Sequence, residues 1–283
     1  AGHPVDALNS VVAFPSAVCN IPLVHPLSPQ VINLDHTGGD MADDSIVGAW
    51  ELVSDSRVGV SIYTDSHFST VMAAKNRQRS SGERATPDEA LEALLTCPAL
   101  SGTYAVSGST GTYTRVANTR VERSDQPIVG DHTIVGDTMT FNIRSGASST
   151  NAGASLTWRR IPSSAAGSPL VGAWELVQDI WQGVAIFTGT HYAIVVMQKE
   201  RNLPSGDQYT PEEALDAIST CGTFAGTYTV SGNTVTAKRI ANLRPTLVGV
   251  DAVWESLVEG DTMKFRGISG GLPTEEWTWR KVS

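Results

Sequence analysis

The chain has 283 residues, more than one small core usually needs, so two domains are the default expectation. Its 41% hydrophobic and 17% charged residues are ordinary for a globular protein, and no apolar run is long enough to cross a bilayer as a helix, so no membrane partner is expected. A net charge of −9, with basic residues scattered as at Lys75, Arg77 and Arg79, argues against nucleic acid as a partner.

Residues 1–40 form a Pro-containing N-terminal extension with no Lys, Arg or Glu, three histidines (His3, His25, His36) and five prolines. Pro15, Pro22, Pro26 and Pro29 interrupt its apolar run and no basic segment precedes it, so it does not read as a secretory signal, and a cytoplasmic location is expected. Met41-Ala-Asp-Asp reads as a natural start. If ordered, such a stretch would lie extended across a surface or a mouth.

From residue 41 the chain repeats itself. Ile46-Val-Gly-Ala-Trp-Glu-Leu-Val53 recurs as Leu170-Val-Gly-Ala-Trp-Glu-Leu-Val177, a shift of 124 that also maps His67 to His191, Cys97 to Cys221, Asn118 to Asn242 and Met139 to Met263. The shift falls to 121 between the two Thr-Trp-Arg motifs, at Trp158 and Trp279, so one late hairpin is shorter in the second copy. The expected division is a first copy at 41–162, a small flexible linker at 163–169 and a second copy at 170–283.

Within a copy, short β-stretches alternate with turn residues. The second copy predicts eight: Trp174–Gln178, Gly183–Thr188, Tyr192–Lys199, Gly226–Val230, Thr234–Ala241, Ala252–Val258, Thr262–Gly267 and Trp277–Val282. Ser231-Gly-Asn and Glu259-Gly-Asp suit tight hairpins because Gly and Asn accept positive φ. Eight strands suffice to close a barrel. One helix interrupts each copy: Thr86-Pro-Asp-Glu89 and Thr210-Pro-Glu-Glu213 are capping boxes with proline at the first helical position. The apolar positions that follow each box lie on one stripe, so each helix should lie against its own barrel and close one end.

There are three cysteines, Cys19, Cys97 and Cys221. The last two hold equivalent positions and, in separate barrels, should not meet. Without a CxxC pair or a Cys/His cluster at metal spacing, they read as buried reduced thiols rather than a disulfide or zinc site. No cofactor is implied.

The residues resemble the lipocalin-like domain family of the calycin superfamily. Gly48-Ala-Trp50 and Gly172-Ala-Trp174 resemble its first-strand Gly-x-Trp, and Trp158-Arg159 and Trp279-Arg280 its closing Trp-Arg. Ile62-Tyr-Thr-Asp65 matches an internal pattern from which Ile186-Phe-Thr-Gly189 departs. The resemblance implies an all-β protein of two tandem lipocalin-like antiparallel β-barrels, each with one short helix. It also implies that Arg159 and Arg280 stack over Trp50 and Trp174 to plug the barrel ends, a cation–π contact of roughly 0.5–2 kcal/mol. The lumen would be a concave, mostly apolar cavity for one small molecule. Relatives include plain carriers of hydrophobic ligands and cofactor-free enzymes, among them allene oxide cyclase and natural-product cyclases.

Several residue sets could carry chemistry. His67 and His191 begin equivalent strands and read as general acid–base candidates or as rim histidines. Tyr104, Tyr228, Arg115, Arg239, Asn118 and Asn242 are repeated polar groups, and a spacing of three places each arginine and asparagine on opposite faces of a strand. The second copy alone has Trp181, Trp254 and Phe224, where the first has Arg57, Gly130 and Leu100; these aromatics read as ligand surface, barrel filling or an inter-domain seam.

The expectation is therefore a pocket in the second copy, with His191, Tyr228 and Arg239 as catalytic candidates and Trp181, Asn242 and Trp254 as ligand-binding ones. The function expected is that of a cofactor-independent cyclase or isomerase acting on a small hydrophobic biosynthetic intermediate, with a non-catalytic binding protein as the alternative. A polar cluster in the cavity favours the first; an apolar cavity without a titratable group favours the second. A packed lumen would point to a structural role. No phosphate loop, dinucleotide fingerprint or Ser/His/Asp order is visible. Oligomeric state is left open.

Overall fold

The computed structural model describes residues 45–82, 84–120, 126–146, 153–163 and 167–283; the N-terminal extension lies outside them. The first copy forms β1 (Gly48–Leu52), β2 (Arg57–Tyr63), β3 (His67–Ala74), α1 (Pro87–Thr96), β4 (Ala99–Ser107), β5 (Thr110–Asn118), β6 (Ile128–Val135), β7 (Thr138–Ser145) and β8 (Ser155–Arg160). The second forms β9 (Gly172–Val177), β10 (Trp181–Phe187), β11 (His191–Gln198), α2 (Pro211–Ser219), β12 (Cys221–Ser231), β13 (Thr234–Asn242), β14 (Asp251–Glu259), β15 (Thr262–Ser269) and β16 (Trp277–Lys281). Each set closes into its own antiparallel barrel, sealed by β1 against β8 and by β9 against β16.

All eight predicted strands of the second copy are present, and two of them begin earlier than expected through glycine-containing stretches. β12 begins at Cys221 rather than Gly226, and β10 at Trp181 rather than Gly183. Cross-strand partners extend both: Met197 faces Cys221 and Gln198 faces Trp181, so the ladder continues through glycines that look like turns in sequence. Both capping boxes form. Thr86 Oγ1 and Thr210 Oγ1 accept from the amides of Glu89 and Glu213 at 3.4 and 3.3 Å, and each glutamate accepts from its threonine's amide at 2.8 Å.

Strand alternation sends one face inward. Trp50, Phe68, Tyr113, Met139 and Trp158 fill the first lumen; Trp174, Tyr192, Trp254, Phe265 and Trp279 fill the second. The signature tryptophans seal one end of each barrel, their indole N–H groups donating to Ile46 O at 2.8 Å and Leu170 O at 2.7 Å. The cation over each is one residue later than the resemblance implied. Arg160 lies 4.2 Å from the Trp50 ring centroid and Lys281 5.5 Å from that of Trp174. Period two explains the correction: with Trp158 and Trp279 inward, Arg159 and Arg280 must point outward. There they pair with Glu51 at 2.6 Å and Glu175 at 3.3 Å.

The outer faces of β2, β3, β10 and β11 are not solvated. Val60, Ile62 and Val71 of the first copy and Val184, Ile186 and Val195 of the second join one buried cluster between the barrels. These strands are covered on both sides, which accounts for near-continuous apolar runs such as Tyr192–Met197. Polar contacts across the seam come in pairs that exchange the copies. The Arg77 guanidinium donates to Asn242 O and Leu243 O, while that of Arg201 donates to Asn118 O at 2.9 Å and Thr119 O at 3.1 Å. The barrels therefore pack about an approximate two-fold axis.

That axis corrects two expectations. The helices do not each close a barrel end: α1 and α2 pack on one another, and Ala90, Leu94, Ala214 and Ile218 belong to the inter-barrel core. The thiols, buried and reduced, are not kept apart by residing in different barrels. Cys97 and Cys221 enter the same core, Cys97 Sγ lying 4.0 Å from Thr223 Oγ1 and Cys221 Sγ 3.8 Å from Asn118 O of the opposite copy. Burial pushes their pKa values up to about 11 and about 12.

Candidate functional site

The end of the second barrel opposite Trp174 opens into a cavity of about 330 Å³. One wall is a ladder of indoles, Trp181 to Trp277 at 5.6 Å between centroids and Trp277 to Trp279 at 6.4 Å. Phe224, Leu272 and Pro273 are among the other apolar lining residues, the β15–β16 loop being folded in by a bond from Gly267 N to Pro273 O at 2.8 Å. Arg239, Asn242, Arg244 and Glu275 are the charged or amide side chains of the lining.

Arg239 and Asn242 share this mouth although they stand three positions apart on one strand. Gly226 pairs with Arg239 but Ala225 pairs with Ala241, so Ile240 is an extra residue that bulges outward and resets the alternation. Gly226 is needed there, because a Cβ at that position would sit 1.9 Å from Lys238 O. The Arg239 guanidinium donates to Gly270 O at 2.6 Å and lies 5.5 Å from the Phe224 centroid. Burial pushes its pKa down. Arg239 and Trp279 are both lining residues, and the Nε–H of the first and the indole N–H of the second are buried without a hydrogen-bond partner. Deeper in the lumen the Trp254 indole N–H and the Tyr192 hydroxyl are in the same condition. A bound oxygen acceptor would satisfy such groups, which otherwise cost about 1–3 kcal/mol each.

Three of the six anticipated residues, Trp181, Arg239 and Asn242, thus meet at one mouth. Asn242 is partly committed, since its Oδ1 accepts from Arg244 N at 2.8 Å. Trp254 fills the lumen beneath, its ring 5.1 Å from that of Phe265 and 6.1 Å from that of Tyr192. Tyr228 is bound at the other end, its hydroxyl donating to Thr188 O at 2.6 Å, as that of Tyr104 does to Thr64 O. His191 is not among the lining residues either. It begins β11, with Nδ1 2.8 Å from Thr190 Oγ1; burial pushes its pKa down, partly offset by Glu51 of the other barrel. The matching pair, His67 Nε2 to Glu175 Oε1, is 3.4 Å apart. The histidines kept in both copies therefore stand at the seam.

The equivalent mouth of the first barrel holds about 120 Å³. Ile128 and Ile143 line it where the second barrel has Ala252 and Gly267. Deeper inside, the first lumen carries a polar network that sequence reasoning missed. The Tyr113 hydroxyl bonds to His132 Nε2, and Ser61 Oγ lies 2.6 Å from Thr70 Oγ1. Burial raises the pKa of Tyr113 and lowers that of His132. The signal was a reciprocal exchange of size: Gly111, Tyr113, Gly130 and His132 stand against Val235, Ala237, Trp254 and Ser256. A Cβ on Gly111 would meet the His132 ring at 2.4 Å, so the glycines make room for the dyad.

Among the described residues no group of three or more His, Cys, Asp or Glu side chains could hold a metal ion, and no helix is long and apolar enough to cross a membrane. No protein-family model and no curated protein matches the chain. Among solved structures, the DNA polymerase sliding clamp from Pseudomonas aeruginosa, crystallised with a ligand, aligns at 8% identity with a TM-score of 0.12, over 86% of this chain and 59% of that one. The chain thus spans under two thirds of that protein, and a superposition this loose carries no argument about fold or function.

Proposed function

We propose that the protein binds one small, flat, hydrophobic molecule bearing an oxygen acceptor in the mouth of its second barrel. The observation that carries this reading is the pairing of an indole-lined cavity with two buried, unpartnered donors, Arg239 Nε–H and Trp279 Nε1–H. The tryptophans supply apolar contact area, and the donors select a carbonyl, carboxylate or sulfonyl oxygen. Resemblance of the repeated Gly-x-Trp and Trp-Arg motifs to lipocalin-like domains supports the same class of ligand.

A second reading is a cofactor-independent cyclase or isomerase on a hydrophobic biosynthetic intermediate, and the same two donors favour it. A buried N–H group brought onto a carbonyl oxygen would stabilise an enolate-like transition state in a site that excludes water. The acid–base role expected of His191 has no buried counterpart in the lining, whose one carboxylate, Glu275, is exposed. Turnover would therefore rest on polarisation and on folding the substrate.

Native mass spectrometry after incubation with a small-molecule extract tests both. A one-to-one adduct released unchanged supports the binding protein; release of an isomer of equal mass supports the enzyme. No adduct at any extract concentration would overturn both.

A further inference from the structure

A second space adjoins the mouth of the second barrel. A groove of about 650 Å³ runs beside it between α1, α2 and the 3-10 turn Pro245–Leu247, and Ser219 and Arg244 line both spaces. The floor of the groove is apolar, with Ala85 and Ala93 from the first copy and Leu215 and Ile218 from the second. Its edges carry Arg84, Glu212 and Asp216, charges of both signs.

The groove is open at Ala85 for a readable reason. Ala85 stands where the second copy has Tyr209, and Tyr209 is buried in the inter-barrel core at 7% exposure. A methyl group in place of a phenol leaves the helix pair uncovered beside the mouth that already has the larger cavity.

Resting on the binding role assigned to that mouth, we infer that the ligand is an elongated amphiphile. Its flat head occupies the indole-lined mouth, and an aliphatic tail passes Ser219 and Arg244 to lie in the groove between the helices. Two adjoining spaces that share Ser219 and Arg244 suit one occupant that passes between them. The apolar floor selects an alkyl chain, while Arg244 at the junction suits an oxygen acceptor joining head to tail. The first copy then contributes to the ligand site of the second, which an isolated second barrel would lack.

The test compares dansylamide, a head alone, with dansylaminoundecanoic acid, the same head carrying a long chain, using energy transfer from the tryptophans to place the head. The expected result is tighter binding of the long probe by roughly tenfold or more, since each buried methylene contributes. Thr246→Trp, which blocks the groove, and Ala85→Tyr, which restores the second copy's residue, should each bring the ratio of the two affinities close to one. A ratio near one in the native protein, or a ratio that survives both substitutions, would overturn the inference while leaving the mouth as a site. Failure of both probes to bind would overturn the inference and the binding role together.

Discussion

Ile62 belongs to β2 of the first barrel but points out of it, fully buried against the second barrel. Replacing it with alanine removes three carbons, worth about 0.8 kcal/mol each in transfer, and the packed surroundings cannot fully collapse on the hole, so the expected loss is about 3 kcal/mol. Because the site is shared, that loss should appear in both barrels. Urea unfolding should remain a single transition displaced to lower denaturant, and hydrogen exchange should speed up in β10 and β11 as well as in β2 and β3. Val135→Ala, at a residue 73% exposed on the same barrel, is the control and should stay within about 0.5 kcal/mol. A variant whose second barrel keeps its native exchange rates, or whose loss is no greater than that of the control, would refute a common core.

Gly226→Ala should cost about 1–3 kcal/mol by driving a Cβ into Lys238 O, and should also weaken probe binding because the bulge that aims Arg239 and Asn242 is displaced; both are read by melting and titration. Cys97 and Cys221 should resist a thiol reagent in native buffer and react together on unfolding, since burial holds their pKa values near 11 and 12; rapid native labelling would count against the shared core. The Glu213 carboxylate, held down to about 2 by the Thr210 and Ser205 amides, contributes stability present above the unfolded carboxylate pKa near 4.3 and lost as pH falls towards 2. Glu213→Gln should therefore narrow the stability gap between neutral and acid pH in acid-unfolding curves.

Much of the architecture was legible because each local signal agreed with the next. The repeated Gly-x-Trp, the hairpin glycines and the capping boxes fixed strand number, helix position and the two-copy plan. What sequence periodicity cannot carry is the relation between copies. The apolar runs at Val184–Phe187 and Tyr192–Met197 signal burial on both faces, yet nothing in them says that the cover is the other barrel. Hence His191 reads as an acid–base candidate when the fold places it at a seam, and the cysteines appear separated when the two-fold axis puts them in one core. The site was half visible for a similar reason. Aromatic gains pointed to the second copy, but Trp254 proved to be filling, and only the bulge at Ile240 lets Arg239 and Asn242 share a mouth.

On the proposed reading the mouth of the second barrel, and not its counterpart, takes a ligand. Fluorescence titration with dansylamide, comparing Trp181→Ala with Arg57→Ala at the equivalent position of the first barrel, tests it most directly. The expected result is a single site, weakened roughly tenfold by loss of the Trp181 face and changed less than about twofold by loss of Arg57. Equal weakening by the two substitutions, or binding indifferent to Trp181→Ala, would contradict it.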